Sequence, residues 1–571
     1  MKIVRLALEE IFRQAVLTLQ PDFSDWQRLF FQSTADEKFG DYQTNFAMAA
    51  SKVFKKAPRA VAEQLVAALP ENGLIGKVEI AGPGFINVFL NDAYAADLVR
   101  SSFTGKWDFS HINTAGTVVI DYSSPNIAKP MHVGHLRTTI IGDSLKRIMR
   151  FLGYQVVADN HLGDWGTQFG KLIVGWHRWL DRENFEKDPI SELERIYIAF
   201  GEAAEQDPAL DELARIELKK VQDGDPENLA LWKKFVDITL SECKRIYEYL
   251  GISFDTYYGE SFYHPLMPEV IRELEERKIA VESEGALVVF FDEKLNIPPC
   301  IVRKKDGAFL YATSDLATIK FKHDNYKMNK AVYVTDDRQA LHFRQIFTIA
   351  GLLGWNMEFV HVPFGVMSFQ GEILKTRAGN TIKLKDLFRE AENKGLAVVE
   401  EKNPTLPDDE KKKIAKAVGI GALKYSDLSQ NRTSNIDFSW EKALSFDGNT
   451  APYLQYSYAR VQSIKRNARE KGFEVDRSAD LLLETEIERS IALSILKFPE
   501  AVEKSAELYR PNLIADHIFD LAQKFSSFYN STPILKAELP LLKSRLLLAE
   551  AVAEVIKTGL DLLGIDVIER M

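Results

Sequence analysis

Two histidines and a lysine lie close together in one short segment of this chain. Lys129, His132 and His135 follow the apolar run Val118–Ile120 and a turn that contains two prolines. Leucine and isoleucine then recur at helical spacing, which predicts a helix that begins at or beside the histidines. A helix N-terminus offers unpaired backbone N–H groups and the positive end of a dipole, so this corner suits a phosphate.

Neighbouring groups fit the same chemistry. The imidazoles and the ammonium group add donors, and Gly134, with no side chain, lets a flat group such as adenine approach the backbone. A lone histidine at a helix start is more often a cap or a surface residue. The order strand, proline-rich turn, lysine, histidine pair and helix is more specific. It predicts a nucleotide-phosphate site, used either for nucleotidyl transfer to a small molecule or for adenylation of an amino acid.

Length and composition limit the class of protein. The chain has 571 residues, which predicts roughly three to five domains of about 150 residues each. Its 46% hydrophobic and 27% charged residues are ordinary for a soluble globular protein. The sequence has no apolar run of about 18 residues, so no membrane span is predicted. The N-terminus resembles neither a signal nor a transit peptide. The net charge of −10 argues against a purely electrostatic nucleic-acid binder.

The two cysteines, Cys243 and Cys300, stand apart from any cysteine or histidine cluster. This spacing excludes a disulfide framework and the usual four-ligand zinc site, and it suits a reducing cytoplasm. We therefore expect no metal ion held by the protein itself.

Three domains are predicted from the change of pattern along the chain. Residues 1–105 show helical patterns and then, over Val78–Leu90, two strands joined by a Gly-Pro-Gly turn, so an α+β domain is expected. From 106 to 410, strands alternate with helices, which predicts an α/β, doubly wound parallel sheet of Rossmann-like type with insertions at about 175–330. Residues 411–571 are almost wholly helical, which predicts an all-α domain.

The predicted strands of the parallel sheet follow from short runs rich in valine and isoleucine. They cover Gly116–Tyr122, Tyr154–Ala158, Ala331–Thr335 and Phe359–Val362. Ligands in such sheets bind at the C-terminal ends of the strands, where the histidine pair and the segment His161–Gly166 both lie.

The chain resembles the class I arginyl-tRNA synthetases over essentially its whole length. Ser123–His135, His161–Gly170 and Pro452–Arg460 carry highly specific matches. The resemblance implies an arginine–tRNA ligase, which attaches L-arginine to tRNA(Arg) through an arginyl-adenylate and releases AMP and pyrophosphate from ATP. It also implies Mg²⁺ with the ATP, an N-terminal domain that contacts tRNA, a C-terminal anticodon-binding domain, and a cytoplasmic monomer.

The resemblance gives four residues catalytic roles at the phosphates: Lys129, His132, His135 and Lys375. Lys375 lies in Leu374–Asn380, which departs from the class pattern Lys-Met-Ser-Lys-Ser and keeps one phosphate-facing lysine. The same resemblance adds Gly134, Asp164 and His342 to the ATP site. Asp164 and His342 fit a capping or core role equally well.

Arginine recognition needs a carboxylate, which accepts the planar guanidinium through two parallel hydrogen bonds. Tyr311 and Asp315 are four residues apart, on one helical face if this stretch is helical, and the family places its arginine-reading pair at this spacing. Asp121 is a second candidate carboxylate. The family usually has the longer glutamate there, so a bridging water is expected. The residues matched to the α-amino and carboxylate ends of arginine are Ser124, Asn126 and Gln339.

Tyr456 and Arg460 lie four apart on a predicted helix, an arrangement that can stack an unpaired base and clamp its phosphate. The resemblance adds Tyr529 and Met571 to the anticodon-facing set. Asn87 is a candidate for tRNA binding in the N-terminal domain. By periodicity alone, Asn87 and the two tyrosines are more often core residues.

Three alternatives stay open at this point. A nucleotidyltransferase acting on a small molecule would not need the helical C-terminal domain or the pair Tyr311 and Asp315. A non-catalytic tRNA-binding relative would be expected to have lost Lys129, His132 or His135. Another class I synthetase, for cysteine, glutamate or methionine, is disfavoured by the lack of a zinc pattern and by the acidic pocket candidates.

Overall fold

The computed structural model describes residues 3–34, 36–103, 107–369, 372–373 and 382–570. The chain forms two compact units. The first unit comprises residues 1–113, 445–561 and 566–571, and the second comprises 114–444 and 562–565. None of the helices in the described ranges combines the length and the apolar character that crossing a lipid bilayer requires.

The first unit opens with a small α+β segment. Its elements are α1 (Val4–Leu19), β1 (Gln32–Ser33), β2 (Tyr42–Thr44), α2 (Phe46–Phe54), α3 (Pro58–Ala67), β3 (Ile75–Ala81), β4 (Phe85–Leu90) and α4 (Asp92–Ser102). The strands pair antiparallel in the order β1-β2-β4-β3. The predicted hairpin is β3–β4. Gly84 in its turn has φ +137°, and a Cβ there would lie 2.9 Å from the carbonyl carbon of Pro58. Strands β1 and β2 are too short to show periodicity in the sequence.

The second unit alternates strands and helices before and after a helical insertion. Its first part contains β5 (Thr117–Asp121), α5 (Val133–Phe151), β6 (Gln155–Asp159), α6 (Thr167–Trp179), α7 (Arg182–Lys187), α8 (Pro189–Gln206), α9 (Ala209–Asp223), α10 (Pro226–Tyr249), α11 (Glu260–Tyr263) and α12 (Met267–Glu276). Aspartates at 181, 188 and 225 cap helices α7, α8 and α10, and proline follows the cap in the last two.

The remainder of the second unit returns to the sheet. It contains β7 (Ala280–Ser283), β8 (Ala286–Val289), β9 (Cys300–Arg303), α13 (Tyr311–Tyr326), β10 (Met328–Asp336), α14 (Ala340–Leu352), β11 (Glu358–Phe364), β12 (Met367–Phe369), β13 (Glu372–Ile373), α15 (Leu384–Lys402), α16 (Asp408–Leu428), β14 (Ile436–Phe438) and α17 (Trp440–Ala443). The insertion packs its own core from α6, α8 and α10, with Phe169, Leu193 and Phe235 fully buried.

The central sheet is parallel, in the order β11-β10-β5-β6. Because β6 lies on one side of β5 and β10 on the other, the strand order reverses between β5 and β10. Such a reversal opens a crevice at the carboxyl ends of the strands, where ligands bind in doubly wound sheets. The helix that carries the histidine pair follows β5, and the segment with Gln339 and His342 follows β10, so both reach this crevice.

The boundary to the last segment lies at 444/445, not at the predicted 410/411. Helix α16 belongs to the second unit because it packs so closely against α15 that the backbones of the two helices are in contact. A Cβ on Gly395 would come 2.2 Å from the carbonyl oxygen of Ala415, and one on Gly419 would come equally close to that of Ala391. The first boundary, predicted at 105/106, lies at 113/114.

A buried arginine also ties α16 to α5. Arg137 donates from Nε and Nη2 to the carboxylate of Asp427 at 2.8 and 3.0 Å, with 1% of each side chain exposed. Its guanidinium also donates to the backbone carbonyls of Gly365, Arg432 and Ser434. The bidentate pair and three carbonyls use the planar donor fork that only arginine provides.

The first unit is completed by long helices: α18 (Ala451–Glu470), α19 (Glu486–Leu508), α20 (Asn512–Ser531) and, at the edge of the unit, α21 (Leu539–Leu562). Arg489 of α19 donates to both oxygens of Asp41, at 2.9 and 2.7 Å, and to Asp92 at 2.6 Å. The Asp41 side chain is fully buried and also accepts a hydrogen bond from the backbone of Leu90. This ion pair joins the two segments of the first unit.

We expect Arg489→Met to lower the free energy of unfolding of the first unit by about 3–5 kcal/mol, because it leaves the buried Asp41 carboxylate without its partner. Chemical denaturation followed by circular dichroism measures this. The control is Arg59→Met, which removes an exposed pair with Glu63 and should cost less than about 1 kcal/mol. Equal stabilities for the two variants would contradict the role given to Arg489.

Candidate active site

The two histidines cap helix α5. His132 is the N-cap residue: its Nδ1 accepts from the backbone N–H of Gly134 at 3.1 Å. Its own backbone N–H donates to Nδ1 of His135 at 3.2 Å. Two backbone donors at the start of the helix are thus satisfied reciprocally, as in a capping box, but by imidazole nitrogens instead of oxygens.

This capping fixes the tautomer of each ring. Because each Nδ1 accepts a hydrogen bond, a neutral ring carries its proton on Nε2. Burial, together with the charge of His132, lowers the pKa of His135 to about 3. Burial and the charge of Lys129 also lower the pKa of His132. Both rings are neutral at pH 7, and each has an Nε2–H left to donate.

Gly134 is required by the cap itself. A Cβ at this position would lie 2.8 Å from Cε1 and 2.9 Å from Nδ1 of His132. The sequence suggested that this glycine makes room for adenine, whereas the nearest atoms belong to the capping ring.

The turn between β5 and α5 is strained. Ser123, Ser124 and Ala128 all have positive φ, at 73°, 44° and 60°, a region that residues other than glycine rarely adopt. Buried hydrogen bonds hold the turn: Ser123 Oγ bonds Tyr247 OH at 2.8 Å, and the backbone N–H of Ala128 donates to Thr239 Oγ1 at 3.0 Å. The insertion helix α10 supplies both partners. Next to Ala128, Lys129 is exposed, with its ammonium 4.9 Å from the centre of the Tyr197 ring.

Tyr311 and Asp315 lie in the first turns of α13, as predicted for one helical face. Tyr311 is 70% exposed. The side chains of Asp315 and His342 form a hydrogen bond. Nε2 of His342 lies 2.5 Å from Oδ2 of Asp315. Burial disfavours the charged imidazole, but the hydrogen bond and the charge of Asp315 outweigh it and raise the pKa of His342. His342, expected beside the adenosine, therefore lies on the carboxylate expected to read arginine.

Glu260, the first residue of α11, adds a carboxylate that the sequence reasoning missed. Burial, followed by the negative charges of Asp315 and Asp164, raises the pKa of its carboxyl group to about 8. Glu260 in turn raises the pKa of Tyr311, after burial as the larger cause. Among the described residues, no cation lies within ion-pair distance of Glu260. Nothing in its sequence context distinguishes it from an ordinary acidic residue in the first turn of a helix.

Asp121 is already neutralised within the protein. The ammonium of Lys322, fully buried in α13, lies 3.0 Å from Asp121 and 2.6 Å from Asp159. Oδ1 of Asp121 also accepts from Ser124 Oγ at 2.9 Å, and the residue is 7% exposed. The oxygens of Asp121 and Asp159 and a ring nitrogen of His161 lie within 4.8 Å of one another. Lys322 supplies the positive charge for these carboxylates.

The other residues predicted to bind ligands in this crevice differ in their exposure. Asn126 is exposed and its backbone pairs with Gly163, beside Leu162, which pairs with Gly259 next to Glu260. Gln339 is exposed at the N-cap of α14. Asp164 is 5% exposed and caps α11, accepting from Ser261 N and Oγ at 2.8 and 2.6 Å, so its carboxylate is occupied. Lys375 lies outside the described residues.

The first unit contains the residues predicted for tRNA. The guanidinium carbon of Arg460 lies 4.7 Å from the ring centre of Tyr456 and 4.8 Å from that of Tyr529. Both tyrosines are partly exposed, at 37% and 41%. Asn87 differs: it is 2% exposed, and its Oδ1 accepts from Gln43 Nε2 at 2.7 Å, so its side chain is not available to a partner. Met571 lies outside the described ranges.

A doubly wound parallel sheet with a histidine-capped helix at its switch point defines a class I aminoacyl-tRNA synthetase. The family model "tRNA synthetases class I (R), catalytic domain" matches residues 103–440. The models "DALR anticodon binding domain" and "Arginyl tRNA synthetase N terminal domain" match 454–571 and 6–90.

Individual proteins agree with these matches. The chain is 52% identical over 571 residues to an arginine–tRNA ligase of Fusobacterium nucleatum, with 100% of both chains covered. Its fold is similar to the arginyl-tRNA synthetase of Plasmodium falciparum, with a TM-score of 0.85, 28% identity and 100% of both chains covered. The Thermus thermophilus enzyme gives 0.83 and 27%, with 99% of this chain and 100% of that chain covered. The chain belongs to the arginyl-tRNA synthetase family, and its reaction is the attachment of arginine to tRNA(Arg).

We expect Gly134→Ala to lower the rate of arginine-dependent ATP–pyrophosphate exchange by at least about tenfold, because the new methyl group displaces the His132 ring from its cap. The control is Gly201→Ala in α8, where nothing lies within 4 Å of the added carbon. That change should keep the exchange rate and stabilise the helix by up to about 1 kcal/mol. A normal exchange rate in Gly134→Ala would show that the cap geometry is not needed.

Proposed function

We propose that the crevice at the ends of β5 and β10 activates L-arginine with ATP and Mg²⁺. In the first step an oxygen of the arginine carboxylate attacks the α-phosphorus, the bond to the β-phosphate breaks, and pyrophosphate leaves. In the second step a hydroxyl of the terminal tRNA ribose attacks the carbonyl carbon of the adenylate. AMP leaves, and the hydroxyl proton is lost to solvent. Both steps rest on positioning and on donors directed at phosphate oxygens, without a protein nucleophile.

On the nucleotide side, the Nε2–H groups of His132 and His135 donate to phosphate oxygens, and Lys129 adds a positive charge. Neutral imidazoles suit this task because their Nδ1 atoms must stay free of protons to cap the helix. Lys375, which lies outside the described residues, is proposed to face the pyrophosphate. Gly134 supports the site by leaving room for the His132 ring.

On the amino-acid side, the guanidinium lies between Asp315, Glu260 and the Tyr311 hydroxyl. In the free pocket His342 occupies Asp315 and Glu260 is largely protonated at pH 7. Arginine displaces the imidazole from Asp315 and stabilises the ionised form of Glu260. His342 is then free to turn toward the adenosine. A planar fork can satisfy two carboxylates at once, which the ammonium of lysine cannot do with the same geometry.

Residues at the ends of the strands bind the α-amino and carboxylate groups of arginine. Ser124, Asn126 and Gln339 hold its α-amino and carboxylate groups. Asp121, occupied by Lys322 and Ser124, acts by orienting the Ser124 hydroxyl. Asp164 acts at the nucleotide by fixing the start of α11. The cluster of Asp121, Asp159 and His161 already has its positive charge from Lys322, so Mg²⁺ is proposed to enter with the ATP phosphates.

In the first unit, Tyr456, Arg460 and Tyr529 form a stack of two rings around a guanidinium, with both rings partly exposed. Such a surface can receive an unpaired anticodon base on an aromatic face and its phosphate on the arginine. Met571 completes this set. The N-terminal segment is proposed to contact a part of the tRNA other than the anticodon. We also propose that the enzyme acts as a monomer in the cytoplasm.

The observation that carries the assignment to arginine is the acidic pocket of Asp315 and Glu260. We expect Asp315→Ala to reduce kcat/KM for arginine in ATP–pyrophosphate exchange, with tRNA present, by about 100-fold or more, because it removes a charge-assisted contact to the guanidinium. Asp324→Ala, at the exposed far end of the same helix, should leave it unchanged. Near-normal exchange in Asp315→Ala would remove this residue from the pocket.

The same assay tests Glu260 through pH. Because arginine binds the ionised carboxyl and its pKa in the free pocket is about 8, the KM for arginine should rise as pH falls from 8 toward 6. Glu260→Gln should raise KM at pH 8 and flatten this part of the profile.

We expect Tyr456→Ala to raise the KM for tRNA in aminoacylation by about tenfold, as for loss of one base stack, while the KM values for arginine and ATP stay unchanged. Leu508→Ala, equally exposed in the same unit, serves as the control. An unchanged KM for tRNA in Tyr456→Ala would refute the stacking role.

A further inference from the structure

The insertion helix α8 meets three lysines: Lys129 from the turn before α5, and Lys383 and Lys385 from the start of α15. Its N-cap residue Asp188 lies 2.7 Å from Lys385, and Glu194 lies 2.6 Å from Lys383. Three residues after Glu194 comes Tyr197, whose ring lies under the ammonium of Lys129. Residues three apart are neighbours on a helix surface, so Glu194 and Tyr197 place a carboxylate and an aromatic ring side by side.

The segment that contains Lys383 is itself attached to the histidine cap of α5. Residue 383 pairs with His132 in an antiparallel bridge. The backbone N–H of Val133 donates to Ile382 at 3.3 Å, and that of Leu384 donates to Met131 at 3.0 Å. Helix α8 is therefore fixed to the start of α5 through ion pairs, and this attachment places the Tyr197 ring beside Lys129.

Lys129 differs from the other two lysines in the kind of partner it has. Lys383 and Lys385 each pair with a carboxylate. Within the residues that the structure describes, no carboxylate lies within ion-pair distance of Lys129, and the Tyr197 ring lies 4.9 Å from its ammonium. A carboxylate would hold the ammonium but cancel its charge. The face of an aromatic ring attracts a cation and leaves its full charge available to an anion.

We infer that Tyr197 is a positioning residue for Lys129, and that through it the insertion takes part in holding the ATP phosphates. The inference rests on the proposed role of Lys129 at those phosphates. The side chain of Lys129 is long and exposed, and an unrestrained ammonium would be spread over many rotamers. The ring, half-buried in the core of the insertion, limits that freedom before the nucleotide arrives.

The test is ATP–pyrophosphate exchange with tRNA and saturating arginine, with kcat and KM for ATP measured separately. Tyr197→Leu should lower kcat/KM for ATP by about fivefold, the scale of a cation–π contact. Tyr197→Phe keeps the ring and should behave as wild type. Phe185→Leu is the matched control, since Phe185 is a half-buried aromatic residue of the same insertion with Lys234 4.8 Å from its ring. It should leave the exchange unchanged.

A double-mutant cycle with Lys129→Met separates positioning from general stability. Tyr197→Leu should add no further loss once Lys129 is methionine, and the melting temperatures of the Tyr197 and Phe185 leucine variants should agree. Additive losses, equal losses in Tyr197→Phe and Tyr197→Leu, or wild-type exchange in Tyr197→Leu would each overturn the inference. A normal Lys129→Met enzyme would overturn both the role of Lys129 and this inference. Lack of arginine-dependent exchange by the wild type would instead contradict the proposed function.

Discussion

The backbone donors at the start of helix α5 are capped by imidazole nitrogens. The chemistry that this end of the helix can offer to a ligand follows from that capping. An aspartate cap would satisfy the same backbone donors but would place a negative charge where we propose that the phosphates bind. A serine cap would satisfy one donor and offer little beyond it. An imidazole accepts through one nitrogen and donates through the other, so His132 and His135 close the helix and extend its donor surface outward. Their lowered pKa values keep the accepting nitrogens free of protons.

Four acidic residues of the second unit fall into two groups according to their partners. Asp121 and Asp159 share the ammonium of Lys322, which comes from the same helix as Asp315 and cannot leave the protein interior. Asp315 is held by a half-buried histidine, a partner that a stronger cation can displace. Burial and two nearby carboxylates raise the pKa of Glu260, which favours its protonated form. The first group is paired within the protein interior, whereas the second is the group that we propose exchanges its proton or its partner for a ligand.

Much of the sheet could be predicted because β-branched runs and helical periodicity agree along residues 115–165 and 330–365. The hairpin β3–β4 was predictable from its glycine turn. The boundary at 444/445 was not, because the contact of Gly395 and Gly419 that joins α15 to α16 leaves no trace in hydrophobic periodicity. Asp121 was recognised as a carboxylate at a strand end, but its partner Lys322 is 201 residues away. Glu260 was missed because its role depends on neighbours from other segments, and the burial of Asn87 depends on the pairing of β2 with β4.

The ion pair between Asp41 and Arg489 has a consequence for biosynthesis. The two residues are 448 positions apart in the chain. At a translation rate of about 5–20 residues per second, roughly 20–90 s pass between the synthesis of the aspartate and that of its arginine. During this interval residues 114–444, the larger part of the second unit, are completed, while the N-terminal segment still lacks α19. The nascent chain thus passes through a stage in which the Asp41 carboxylate must stay hydrated, because the arginine that pairs with it has not been made.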